Sequence, residues 1–269
     1  MKPEQPLQPP PRKMLRREVR AVANLISMTV PLGFSLLRRK PGQRTQTVMV
    51  IPGFGADDRY TWPLRKYLEQ QGYVTRGWGM GANLAGLNIR HTLDDLHPRW
   101  AIDQRQPYRG EGGVPLVIDR LIDQFDDHHH QHQPIALIGW SLGGYIAREV
   151  ARERPQLISQ VITLGTPTIG GPKYTAASTV FMRRRHDLDW IEQSIAEREN
   201  NPIQVPITAL ISRSDGIVDY RASLDHFSPQ VEHIDMNVAH LGFPFHRKVW
   251  RVILERLSRH ENSKSQATG

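Results

Sequence analysis

Ser141 is the residue best placed to do covalent chemistry. It stands in Gly139-Trp140-Ser141-Leu142-Gly143, a G-x-S-x-G spacing. The apolar, β-branched run Ile135 to Ile138 precedes it and predicts a buried strand. Leu142 to Arg154 follows with helical periodicity and stops at Pro155. A serine at such a junction is often only a helix cap, but a cap does not need glycine on both sides. A sharp strand–turn–helix elbow does, because strand and helix must approach closely around a strained backbone. The spacing therefore predicts a serine whose side chain projects above a sheet. Its backbone would lie at a helix N-terminus, where free N–H groups and the helix dipole favour developing negative charge.

A serine hydroxyl is a weak nucleophile until a base takes its proton and a carboxylate orients that base. With this elbow the partners follow in the order Ser, acid, His, in loops after later strands. "ITALISRSDGIVDYRASL" offers two acids. Asp215 lies at the end of a predicted strand, beside Gly216, and is favoured. Asp219 lies where "DYRASL" can begin a short helix, so its competing reading is an N-cap. For the base, His233 falls inside a strand pattern and His246 inside the last helical pattern. His240, in "NVAHLGFP", falls in the loop between them and is preferred. An oxyanion hole needs two backbone donors. Leu142 supplies one, and Phe54 in "IPGFGADD" supplies the other, with Gly53 and Gly55 letting that turn curl toward the serine. Asp57 and Asp58 read as caps of the following helix.

These residues must be carried by a scaffold, and its elements are legible. "TVMVIPG", "VTRGWGM", "PIALIGW", "QVITLGT", "ITALISR" and "VEHIDMN" predict strands. "TWPLRKYLEQQGY", "VPLVIDRLIDQFDDHHH" and "FPFHRKVWRVILERLSRH" predict helices. Strands alternating with helices imply an α/β fold with a mostly parallel sheet covered on both faces. Residues 170–203 fit no strand–helix unit and read as a helical, cap-like insertion. Trp62, Trp78, Trp100 and Trp140 read as core, with Trp140 buried behind the elbow.

Charge divides the chain of 269 residues in two. The net charge is +8, and residues 1–46 alone hold ten Lys or Arg against two Glu, so residues 47–269 are balanced. An excess confined to one arm points to an anionic surface and away from a nucleic-acid-binding fold. Residues 1–13 are proline-rich. Leu15, Val19, Val22 and Ile26 then follow helical spacing, and the uncharged run from Ala21 to Leu37 is interrupted by Pro31 and Gly33. That run is short for a membrane span, which needs about 20 apolar residues, and no small-residue cleavage site follows it. The arm is thus expected to dock on an anionic membrane without taking part in chemistry; the competing reading packs 19–37 on the body. The chain has no cysteine, which excludes disulfides and thiolate metal sites. The location expected is cytoplasmic, with peripheral membrane contact. "DDHHHQH", residues 126–132, reads as a solvated helix end and not as a metal site. "MRRRHDLDW", residues 182–190, reads as an exposed helix face, or as a cap whose arginines meet anionic groups.

Taken together, "IPGFG", "GWSLGG", "LGTP", "SRSDGIV" and "AHLGF" make the body, from about Thr47 to Arg259, resemble the α/β-hydrolase fold, and in particular its compact lipase and esterase members. The resemblance implies a Ser–His–Asp hydrolase of esters, thioesters or amides that uses no cofactor. By position it makes Ser141, Asp215 and His240 the triad and Phe54 and Leu142 the hole. Many members carry His-Gly where this chain has Pro52-Gly53. An acyl ester, including lipid esters, is the expected substrate. An acyltransferase with the same triad and a catalytically silent binding scaffold are the alternatives.

Overall fold

The computed structural model describes residues 6–16, 18, 46–100, 108–127 and 133–267. In chain order the elements are β1 (Thr47–Ile51), α1 (Asp58–Gln70), β2 (Val74–Gly77), α2 (Gly113–Asp127), β3 (Ile135–Trp140), α3 (Leu142–Glu153), β4 (Ile158–Leu164), α4 (Ser178–Arg183), α5 (Leu188–Arg198), β5 (Ile207–Ile211), β6 (Val231–Asp235) and α6 (Arg247–Ala267), with short 3-10 turns between them. The strands form one sheet in the order β2-β1-β3-β4-β5-β6, and every pairing is parallel. Strands β3, β4 and β5 are buried along their whole length, as expected where helices cover both faces. The edge strands β2 and β6 alternate toward solvent.

Two cores result. On one face, Ile118, Leu121 and Ile122 of α2 and Ile146 and Val150 of α3 pack on Ile51, Leu137 and Val161. On the other, Leu64 and Leu68 of α1 and Val249, Ile253 and Leu257 of α6 pack on Val50, Ile138 and Ile162. The chain leaves β1 toward one edge and returns through β3 toward the other. The crevice at the carboxyl ends of β1 and β3 is therefore a topological switch point, where open α/β sheets place their ligands.

Four sequence expectations change. Trp62 is about half exposed, not core, because it lies on the outer face of α1, whose buried positions are Thr61, Leu64 and Leu68. Asp57 caps α1, accepting from the Arg59 N–H, but Asp58 does not. Its carboxylate accepts from the Trp78 and Gly79 N–H groups and so ties the end of β2 to α1. The last helix begins at Arg247: residues 240–245 form a 3-10 turn containing Pro244, whose missing N–H suits a helix approach and not an interior. His246 therefore precedes that helix instead of lying in it. Of the arm, residues 12–16 are helical, whereas residues 17 and 19–45 lie outside the described residues, as do 128–132 of the histidine run. Among the described residues no helix is long and apolar enough to cross a membrane.

Behind the elbow, α3 is locked by buried charge. Arg148 pairs with Asp225 and Glu199, and all three are buried. Burial by itself would raise the Asp225 carboxyl, but the Arg148 guanidinium and the Ser228 N–H outweigh it and hold the group well below the usual range. Removing one partner of such a pair leaves an uncompensated charge, so Asp225→Asn is expected to cost about 3 kcal/mol at neutral pH. The sign with pH follows from the depressed native value. The contribution is complete above the ordinary carboxyl range near pH 4, declines as pH falls below it, and vanishes once the native carboxyl protonates. Urea unfolding at pH 7 and pH 3 should show the wild type losing more stability than Asp225→Asn between the two.

Candidate active site

Ser141 joins β3 to α3 with φ 54° and ψ −122°, a conformation rarely adopted by a residue with a side chain. Such strain persists only where the surroundings over-determine it, and here they do. A Cβ on Gly139 would lie 2.3 Å from the Gly143 carbonyl oxygen, and one on Gly143 would lie 2.3 Å from the Ile51 carbonyl oxygen. Only glycine lets strand and helix close around the serine. The Ser141 N–H is bonded to the Leu164 carbonyl at 2.9 Å, which anchors the turn to β4.

Asp215 and His240 come from the loops after β5 and β6. The His240 Nδ1 lies 2.6 Å from Asp215 Oδ2, and both side chains are buried. The other carboxylate oxygen, Oδ1, accepts from the Ile217 and Val218 N–H groups at 2.8 and 2.7 Å. Asp215 is thus held in one orientation, and with Nδ1 engaged, Nε2 is the ring nitrogen left to act as a base. Asp219 is elsewhere. It accepts from the Arg221 N–H as the cap of a 3-10 turn and pairs with the Arg221 guanidinium at 2.6 Å. Burial would raise its carboxyl, but the bonds to Arg221 outweigh that and lower it.

Phe54, Ser141, Leu142 and His240 all line one cavity of about 370 Å³. No hydrogen bond within the described residues uses the Phe54 or Leu142 N–H. The Leu142 donor is of the kind every helix leaves unpaired at its start. The rest of the wall is largely apolar, with Val114, Tyr145, Phe181, Trp190, Ile191 and Ile195 prominent. Its two charged members are already engaged. Glu111 accepts from the Arg109 and Asp187 N–H groups, while Arg198 pairs with Glu149 and lies over the Trp100 ring. His186, also in the wall, is pushed down by burial and so favours its neutral form. Much of this wall comes from α4, α5 and the turn before them, the segment between β4 and β5.

Two residues that hold this geometry, Asn83 and Gly165, carried no readable signal, and a third, Trp140, does more than its sequence showed. Asn83 is fully buried, and its amide donates to the Pro52 carbonyl at 2.8 Å. Its backbone bonds both ways with the Phe54 turn, accepting from Gly55 and donating to Ala56. Gly165 has φ 55°, and a Cβ there would lie 3.0 Å from Asp215 Oδ2 and 3.1 Å from His240 Nδ1. It sits within "LGTP", yet nothing local says that its missing side chain makes room for the Asp215–His240 pair. Trp140 is buried as expected, stacked on Tyr60 with ring centroids 4.7 Å apart. Its indole N–H also donates to the His240 carbonyl at 3.1 Å, bracing that loop.

An all-parallel sheet, a strained serine at the strand–helix junction after β3 and a cavity at the switch point together define the class: the chain has the α/β-hydrolase fold. More particularly, residues 113–245 match the family described as the PGAP1-like alpha/beta domain. Solved structures agree on the fold. A membrane phospholipase A described as a bacterial virulence factor is 14% identical, with a TM-score of 0.53 over 90% of this chain and 93% of that one. A hydrolase from Oleispira antarctica is 10% identical, with a TM-score of 0.51 over 83% and 96% of the two chains. The mouse alpha/beta hydrolase domain-containing protein 10 is 16% identical, with a TM-score of 0.50 over 82% and 92%. No curated protein matches the sequence.

Proposed function

We propose that this protein is a serine hydrolase of carboxylic esters with apolar acyl chains. The observation that carries the proposal is that the strained Ser141 and the Asp215-bound His240 open into one apolar cavity. In this reading His240 Nε2 takes the Ser141 proton as Oγ attacks the ester carbonyl. The Phe54 and Leu142 N–H groups hold the oxyanion at the positive end of α3. Collapse of the tetrahedral species expels the alcohol, protonated by the imidazolium, and leaves an acyl-enzyme. Water deprotonated by His240 then attacks the acyl carbon, and the second collapse returns the proton to Ser141 and releases the acid. No step requires a cofactor.

Because the charged wall residues are engaged by protein partners, the cavity offers a substrate little besides apolar contact, which suits an uncharged acyl chain. Segment 170–203 acts as the cap over that chain. Docking on an anionic lipid surface belongs to the same reading. The excess charge lies in residues 1–46, and the exposed Met182, Arg183, Arg184 and Arg185 stand between the lining residues Phe181 and His186.

Nitrophenyl esters and thioesters of graded acyl length test the proposal, assayed with and without an added alcohol. The expected result is kcat/KM rising with chain length by about fourfold per added methylene until the cavity is filled, with free acid as product. A folded protein that turns over none of them would overturn it. Preferential formation of the new ester would make the protein an acyltransferase.

A further inference from the structure

We infer that Glu18, from the N-terminal arm, is a positioning residue for the candidate acid and base. This inference rests on the hydrolase reading of Ser141, Asp215 and His240. The Glu18 side chain is buried, and its carboxylate joins the two loops that carry the pair. Oε1 accepts from the Gly216 N–H at 2.8 Å and from the His240 N–H at 2.9 Å, and Oε2 accepts from the Leu241 N–H at 2.9 Å. Gly216 and His240 are a direct neighbour of the acid and the base itself. One carboxylate therefore sets the separation of two backbones that come from different strands, and charge-assisted bonds of this kind are short and directional.

The surroundings are shaped for the arm. A Cβ on Gly216 would lie 2.7 Å from the Met14 carbonyl oxygen and 3.0 Å from Glu18 Oε1, so the glycine beside the acid makes room for this contact. Further out, Asp219 accepts from the Gln8 N–H at 3.3 Å, and Arg221 donates to the Pro6 carbonyl at 3.2 Å. The acid loop is thus touched by the arm along its length. Beside this contact, Tyr60 donates to the Leu241 carbonyl at 3.0 Å. Its phenol is pushed up to about 12 by burial and then by the Glu18 charge, so it remains a neutral donor. The expectation that the arm takes no part in the chemistry is replaced by a division of labour: a carboxylate at position 18 secures the site, whatever the basic residues around it contact.

A positioning role separates from a purely structural one in the kinetics of the full-length chain. Displacing a reacting group by about 1 Å can cost about a hundredfold in rate. Glu18→Ala is therefore expected to lower kcat on a short nitrophenyl ester by about 10- to 100-fold, with KM within about twofold, in protein still folded at the assay temperature, although the three N–H groups that lose their acceptor lower the melting temperature. The rate constant for fluorophosphonate labelling should fall in step. Glu18→Gln keeps an oxygen for the Gly216 and His240 N–H groups but turns an amide N–H toward that of Leu241. It should recover part of the loss, to within about threefold to tenfold of wild type. Wild-type kcat in either folded variant overturns the inference, as does a loss that merely follows the fraction unfolded at the assay temperature. If Glu18→Ala does not fold, Glu18→Gln decides by the same criterion. Full activity in Ser141→Ala would instead overturn the hydrolase reading itself, whereas a dead Ser141→Ala beside an unaffected Glu18→Ala would sink only the role of Glu18.

Discussion

Replacing Ser141 with alanine is expected to lower kcat/KM on an ester by about four orders of magnitude or more and to abolish fluorophosphonate labelling. The size follows from the part the hydroxyl plays. Without Oγ no acyl-enzyme can form, and what remains is the rate that the Phe54 and Leu142 donors and the cavity confer on direct attack by water. Alanine tolerates φ 54° no better than serine does, so the backbone strain is retained and folding should be unaffected. Mass spectrometry of the labelled wild type should place the phosphonate on Ser141. A wild-type rate in Ser141→Ala, or a label on another residue, would move the nucleophile elsewhere.

Asp215→Asn should cost about four orders of magnitude in kcat, against less than about threefold for Asp219→Asn. The difference lies in what each carboxylate does. The Ile217 and Val218 N–H groups bind Asp215 Oδ1. An asparagine would keep its oxygen there and turn its NH2 toward His240 Nδ1. Nδ1 would then have to accept, the ring proton would move to Nε2, and the nitrogen needed as a base would become a donor. Asp219 caps a short turn and pairs with Arg221 beside it, and an asparagine still caps. Its loss is the ion pair with Arg221 and a 3.3 Å bond from the Gln8 N–H, each of small worth. Circular dichroism would establish that both variants fold before their rates are compared. A more damaging Asp219→Asn would show that the acid is misassigned.

What could be read from the sequence, and what could not, follows the reach of each interaction. The elbow is local: a β-branched strand, two glycines around a serine and an amphipathic helix occupy consecutive residues, and each constrains the next. The fully buried strands were legible for the same reason, since helices on both faces leave an unbroken apolar run. The order of the candidate acid and histidine could also be proposed, but two aspartates four residues apart carry the same local signal. Only the tertiary structure sets Asp215 against His240 and leaves Asp219 to Arg221. Asp58 shows the same limit. It has the sequence of a cap, yet the N–H groups it satisfies belong to the end of β2, twenty residues on. Trp62 is an aromatic on a helix whose buried face is chosen by the sheet beneath it. Farthest from legibility are Asn83, Gly165 and Glu18, because each serves a backbone that local periodicity does not bring near. Glu18 lies 222 residues from the His240 N–H it accepts. By itself the sequence determined the class of fold and the strand–helix junction that holds the candidate nucleophile, through contiguous patterns of hydrophobicity and turn chemistry. The tertiary structure decided which polar groups hold the candidate acid and base in place, because buried hydrogen bonds are satisfied by whatever donor or acceptor the fold delivers.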